Sequence, residues 1–380
     1  MAVAWDATYL LCIQRRTLHC FCAVAGALCV LSVLAAGPLR APCQAENPAA
    51  GSTTAAAPNP NECSRQVVIA NATPGGMAVA LNKRGLTYQA RGELDCAIRE
   101  FDRAIELNPK NALLYDNRGL VYQDKGEIDR AIQDFDEAIS LNPDNAKALN
   151  NRGNAYGAKL QFDRSIRDFD QAIRLNPESA EAFNNRGIAY YAKNEFDRAI
   201  EDYNHALGFK SDYAAAYNNR GNAYTSKGDL VRAIQDYDEA IRLNPKYAEA
   251  HFNRGIAHLH LGDLDRAIAE FDQVIRLKPD FPYAYNKRGS ALNAKGEQRR
   301  AIEDYTEAIR LHPEYAEAFD NRGIVYADEG QLDRAIQDFD EAIRLRPDDA
   351  TALRNRAAVY ARRGAHSQGA RNSIGMAGQQ

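Results

Sequence analysis

Cysteine all but disappears after the first 45 residues. Five of the seven (Cys12, Cys20, Cys22, Cys29 and Cys43) lie before that point, leaving only Cys63 and Cys96. No CxxC or Cys/His ligand spacing follows, so the body of the chain offers no zinc-type ligand set. Charge of one sign is also lacking. Lys and Arg number 47 against 51 Asp and Glu, a net −4 at pH 7, which gives no electrostatic case for a nucleic-acid partner. The phosphate loop, GxSxG and HExxH are absent too. No enzymatic activity, cofactor or metal site is therefore expected.

What is present begins with an export-type segment. Arg15 and Arg16 precede an apolar run, Leu18–Ala36, and a short stretch containing the small residues Cys43 and Ala45 follows. That order reads as a secretory signal over residues 1–45. The run is also just long enough to span a bilayer, so an uncleaved membrane anchor is the other reading. In both, the arginine pair favours a cytoplasmic N-terminus, which puts the remainder outside the cytoplasm, in a periplasm or its equivalent. Residues 46–77 open rich in Ala, Pro, Asn, Ser and Thr and read as a flexible spacer and lead-in. In an oxidising compartment Cys63 and Cys96 would pair; the alternative is two free thiols.

The heptapeptide NNRGNAY occurs at Asn150–Tyr156 and again at Asn218–Tyr224, with NNRGIAY midway at Asn184–Tyr190. The interval is 34 residues, and a fixed period of that size marks a repeat architecture. Alignment on Arg-Gly pairs, from Arg84-Gly85 to Arg322-Gly323, gives eight units: 78–111, 112–145, 146–179, 180–213, 214–247, 248–281, 282–315 and 316–349. A partial ninth, carrying Arg356-Ala357, occupies 350–364 as a capping helix. The Gly-rich residues 365–380 read as a disordered tail.

Within each unit the apolar residues recur at i, i+3, i+4 and i+7, the spacing of a helix face. In 112–145, Tyr115, Gly119 and Tyr122 share one face, and Gly126 ends the helix by taking the left-handed conformation. A second helix aligns Ala131, Phe135, Ala138 and Ile139 until Asn142-Pro143 stops it. Proline lacks the amide donor and clashes with the preceding turn. Gly119, Ala131 and Ala138 are small where two helices must approach closely. This pattern, aromatic…Gly-x-x-Tyr…Ala-x-x-x-Phe…Ala…Pro, resembles the tetratricopeptide repeat in all eight units. The first Ala fails only at Ser165 and the Pro only at Ser211. The resemblance implies an all-α fold, a right-handed superhelical solenoid whose first helices line a concave groove.

Each Arg is followed sixteen residues later by an acid: Glu100, Asp134, Asp168, Asp202, Asp236, Glu270, Asp304 or Asp338. Such a one-to-one ladder of opposite charges reads as pairing within the array. The residue before the Arg is Asn117, Asn151, Asn185, Asn219, Asn253, Asn321 and Asn355, with Lys83 and Lys287 at the other two places. That row resembles the asparagine ladder in the repeat domain of O-linked N-acetylglucosamine transferases, where stacked amides hold the main chain of an extended peptide. A carboxamide both donates and accepts, so it can satisfy a peptide's amide and carbonyl regardless of side chain.

The resemblance implies a peptide-binding groove formed by those residues with Asn154 and Asn222. Tyr191, Phe252 and Tyr283 would add an apolar pocket, and Lys287 a charge. The family's carboxylate clamp fits poorly, because Asn218 and Tyr283 stand where lysines are wanted. His251 and His258 replace aromatics and read as packing residues. The expected function is a non-enzymatic protein-interaction scaffold that binds an extended segment of a partner protein. The competing reading is a structural adaptor of the cell envelope, working through its convex face or tail with an empty groove.

The least regular joint lies at Gly208–Ser211, where Gly enters a second helix and the stop Pro is missing. Backbone hydrogen exchange should be faster there than at the other joints. Uniform protection along the array would contradict this expectation.

Overall fold

The computed structural model describes residues 73–377, with side chains placed through residue 364. The export segment, Cys63 and most of the lead-in lie outside the described residues. Seventeen α-helices follow one another among the described residues, with no strand. The chain divides into two compact units between His205 and Ala206.

The first unit holds α1 (Pro74–Ala90), α2 (Leu94–Leu107), α3 (Ala112–Asp124), α4 (Ile128–Leu141), α5 (Ala146–Ala158), α6 (Phe162–Leu175) and α7 (Ala180–Ala192). The division falls inside α8 (Phe196–Phe209). The second unit continues with α9 (Ala214–Ser226), α10 (Leu230–Leu243), α11 (Ala248–His260), α12 (Leu264–Leu277) and α13 (Pro282–Ala294). It ends with α14 (Gln298–Leu311), α15 (Ala316–Asp328), α16 (Leu332–Leu345) and α17 (Ala350–Ala377). Odd-numbered helices are the first helices of the repeats and even-numbered ones the second.

Glycine sets how closely the two helices of a repeat approach. A methyl group on Gly119 would stand 2.6 Å from the Phe135 ring, one on Gly153 2.7 Å from Phe169, and one on Gly221 2.6 Å from Tyr237. No side chain fits there without displacing the ring. Those rings are buried together with Ala131, Ala138, Ala172 and Ala240. Ser165, the one departure from Ala in the second helix, donates its hydroxyl to the Gly153 carbonyl at 2.7 Å. Its polar group is therefore satisfied inside the core.

The turns inside the repeats follow the expected chemistry. Gly126, Gly228 and Gly330 take φ of 78°, 80° and 78°. Leu160 and Asn194, which replace that glycine, take φ of 61° and 62°. A side chain there crowds the following carbonyl, at a cost of roughly 1–2 kcal/mol that Asn tolerates better than Leu.

Two boundaries differ from expectation. Helix α1 begins at Pro74, four residues ahead of the first unit, because Thr73 caps it by accepting from the Gly76 amide at 3.2 Å. Proline at the first helical position reinforces that start. At the other end α17 runs on through Ala377, into the stretch expected to be disordered. Gly364 stands at the turn position but is not among the glycines with positive φ. No Ala-x-x-x-Phe pattern occurs in residues 365–380, and the helix continues past Gly364.

Two substitutions test this packing. Gly153→Ala should lower stability by about 1–3 kcal/mol through overpacking against Phe169. Leu160→Gly should raise it by up to about 1 kcal/mol by relieving the left-handed side chain. Thermal melts report both, and a neutral Gly153→Ala would show that the ring gives way freely.

Candidate functional site

The arginines that recur at one place in each repeat make structural ion pairs. Arg118 makes two parallel bonds to Asp134, at 2.8 and 2.6 Å, and a third to Asp102 at 2.6 Å. Asp134 belongs to the same repeat and Asp102 to the preceding one, so one guanidinium ties three helices. Arg152 repeats this with Asp168 and Asp136, Arg186 with Asp202 and Asp170, and Arg288 with Asp304 and Asp272. Burial opposes the Arg118 charge, but hydrogen bonds and charge from Asp134 and Asp102 outweigh it and raise the pKa. The sixteen-residue pairing is as expected. The second acid was missed, although the doubled acids of segments such as Asp134–Asp136 carried the signal.

The asparagine row is more deeply engaged than the groove reading supposed. Asn117 Nδ2 donates to Asn82 Oδ1 at 2.8 Å, and Asn151 Nδ2 to Asp116 Oδ1 at 2.7 Å. Asn185 donates to Asn150 at 3.2 Å, Asn253 to Asn218 at 3.0 Å, and Asn321 to Asn286 at 3.0 Å. Asn355 closes the series on Asp320 at 3.1 Å. Each Asn thus bonds the residue that precedes its own counterpart one repeat earlier. Adjacent first helices pass side by side here, so a carboxamide between them must bond across or be stranded.

Asn117, Asn151, Asn185 and Asn154 are consequently buried, whereas Asn219, Asn253 and Asn321 are half-buried. Asn222 accepts from the Tyr237 hydroxyl at 2.8 Å. The Oδ1 of Asn154 has no hydrogen-bond partner among the described residues.

The expected apolar pocket is corrected by the structure. Tyr191 is buried against Phe196, with ring centroids 5.4 Å apart. Phe252 is buried between Phe271 and Phe281, at 5.7 and 5.3 Å. Half-buried Tyr283 continues that chain of rings to Tyr315 at 5.0 Å. Rings of this size fill the joints between helices before they can line a cavity. Lys287 is paired with Glu317 at 2.7 Å. His251 is held between Glu270 at 2.7 Å and the Pro245 carbonyl at 3.2 Å, a packing role as expected.

Cys96 is buried beside Tyr88 and Val121 and is disulfide-bonded. Among the described residues no cluster is placed to hold a metal ion, and no helix is long and apolar enough to cross a membrane.

A further ladder runs along the repeat turns. Lys125 pairs with Asp95 at 2.7 Å, Lys193 with Asp163 at 2.8 Å, Lys295 with Asp265 at 2.6 Å, and Lys159 with Asp129. At the equivalent places of one joint stand Val231 and Leu261, both exposed. They line a shallow depression of about 400 Å³ with Lys227, Asp229 and Leu230.

Paired helices stacked in this way, with bridges that recur from repeat to repeat within each unit, define an α-solenoid. Models described as TPR repeat match residues 85–126, 122–159, 221–262 and 323–364, and one described as tetratricopeptide repeat matches 150–214 and 253–316. The chain belongs to the tetratricopeptide repeat family, whose members generally bind protein partners. No curated protein matches it. Among solved structures it is similar to a chain of the APC/C hetero-tetramer Cut9–Hcn1, with a TM-score of 0.56 and 16% identity. That likeness covers 73% of this chain and 55% of the other. A tetratricopeptide repeat protein from Parabacteroides merdae gives a TM-score of 0.52 at 20% identity, over 66% of this chain and 98% of that one. Both likenesses concern the fold.

One rung makes a pH-dependent prediction. Burial, with Glu317 and Asp349 nearby, outweighs the Asn355 bond and pushes Asp320 up to about 6. A raised carboxyl pKa leaves stability intact below the unfolded value near 4 and removes it as pH climbs through about 6. Asp320→Asn should therefore raise stability at pH 7.5 by an amount on the order of 2–3 kcal/mol. The variant's advantage should vanish near pH 4, as thermal melts across that range would report. An advantage independent of pH would show that the carboxylate is not strained.

Proposed function

We propose that the protein is a non-enzymatic scaffold outside the cytoplasm that holds an extended segment of a partner protein along its first-helix face. The observation carrying this reading is the row of carboxamide rungs. Asn117, Asn151, Asn253 and Asn321 each spend one N–H on the neighbouring repeat, and a carboxamide has a second N–H and oxygen lone pairs besides. First helices about 8–10 Å apart would meet an extended main chain, about 3.3 Å per residue, at every third residue. Half-buried Asn219, Asn253 and Asn321 have the best access to such a chain. Export is supported by Arg15, Arg16 and the run Leu18–Ala36. The disulfide at Cys96 agrees with an oxidising compartment.

The test is capture of partners from a cell-envelope extract by the processed protein and by a triple variant, Asn219→Ala, Asn253→Ala and Asn321→Ala. Thermal melts confirm that the variant remains folded. A partner retained by the wild type and lost by the folded variant is the expected result. A partner held equally by both would sink the groove reading and move the contact to the second-helix side. For location, a cytoplasmic fraction holding all of the protein with Cys96 reduced would overturn the export reading.

A further inference from the structure

The first two repeats present a different surface from all later ones. Val79 and Leu113 are equivalent residues of α1 and α3, as are Leu86 and Leu120. Further along, the corresponding pairs are Lys147 and Asn154, Glu181 and Ile188, Ala215 and Asn222, then Glu249 and Ile256. Tyr283 and Ser290, then Glu317 and Ile324, complete the full repeats. Only the first two repeats carry a large aliphatic residue at both places.

Three of those four residues are open to solvent. Val79, Leu113 and Leu86 are 67%, 48% and 41% exposed, and Leu120 is half-buried. Their mutual placement follows from the rung between Asn117 Nδ2 and Asn82 Oδ1, at 2.8 Å, which pins α3 beside α1. Each of the four aliphatic residues lies three or four positions from its own rung Asn, one helical turn above or below it. The result is an apolar patch with a polar rung across its middle. Lys83, next to Asn82, is exposed and has no ion-pair partner among the described residues. The nearest acid on the following rung, Asp116, is buried, with its second oxygen 3.7 Å from Lys147.

We propose that this patch docks an extended segment of a partner protein bearing two aliphatic side chains three residues apart with an acidic residue between them. The proposal rests on the reading that the first-helix face holds such a segment, and it names the segment's chemistry. Three residues of a chain extended as polyproline II span about 9 Å, close to the separation of neighbouring first helices, and its three-residue turn puts both aliphatic side chains on one side, so one would meet α1 and the other α3. The rung amides satisfy the main chain between them. Lys83 selects an acid there, since it is an unpaired cation beside an apolar surface that excludes water.

A fluorescein-labelled, capped octapeptide, Gly-Ser-Leu-Glu-Glu-Leu-Ser-Gly, titrated into the intact protein and followed by fluorescence anisotropy, tests this. Saturable binding is expected, weakened at least about tenfold by Leu86→Ser with Leu113→Ser, which are surface changes that should leave the melt unaltered. The counterpart with Lys in place of Glu should bind at least about tenfold more weakly, and Lys83→Glu should reverse that preference.

No saturable binding, or equal binding to the double variant, overturns the proposal. So does a doubling of mass in sedimentation that the double variant abolishes, because a second copy would then own the patch. Tighter peptide binding on deletion of residues 46–72 would assign the patch to the chain's own lead-in and likewise overturn it. If the octapeptide fails while the envelope partner still depends on Asn219, Asn253 and Asn321, the patch falls and the groove reading stands. If the octapeptide binds as expected while no partner depends on those three, the patch stands alone.

Discussion

The array depends on one contact per repeat, a glycine backbone pressed against an aromatic ring. At Gly119 and Phe135 there is no room for even a methyl group, and this spacing fixes the distance between the first and second helices. Close packing of this kind is intolerant of added volume. With the two helices held at that distance, the Arg118 guanidinium reaches Asp134 across the same gap. With Arg118 in place, its third bond reaches Asp102 on the preceding repeat. The order of dependence therefore runs from a steric contact inside a repeat to an electrostatic one between repeats.

Buried ion pairs are uncertain sources of stability, because desolvation can cancel their attraction. Their value here is in register. A bidentate guanidinium accepts only one placement of its carboxylate, and Arg118, Arg152, Arg186 and Arg288 each fix one carboxylate in their own repeat and another in the repeat before. In a stack where every unit touches only its neighbours, such joints are the coupling between otherwise independent units. The carboxamide rungs add a second joint between first helices, as from Asn151 to Asp116.

The fold was legible from residues because its signals are local. Gly126 and Pro143 punctuate helices wherever they occur, and a 34-residue period multiplies weak signals into a strong one. The role of the Asn row was only partly legible. Its partners lie 35 residues away, and which side chain meets which depends on how one repeat is rotated against the next. No single helix encodes that rotation. Asn150 and Asn218, each the first Asn of an NN doublet, were the unrecognised half of the rung. Tyr191 and Phe252 were misplaced for a similar reason, since a ring at an inner-face offset packs sideways when a neighbouring ring is within reach. The continuation of α17 shows the converse. Gly364 has the residue type for a turn, yet the residues after it lack the Ala-x-x-x-Phe pattern of a second helix and the chain stays helical.

The ladder along the repeat turns has a consequence for how the molecule responds to its surroundings. Pairs such as Lys125–Asp95 and Lys295–Asp265 have acids more than two-thirds exposed, so added salt screens them over a Debye length of about 8 Å at physiological strength and less above it. Val231 and Leu261 have no charge to screen, and salts that are excluded from protein surfaces strengthen apolar association. Rising ionic strength therefore acts on the charged rungs and passes over the apolar place between them, so the edge responds unevenly along its length.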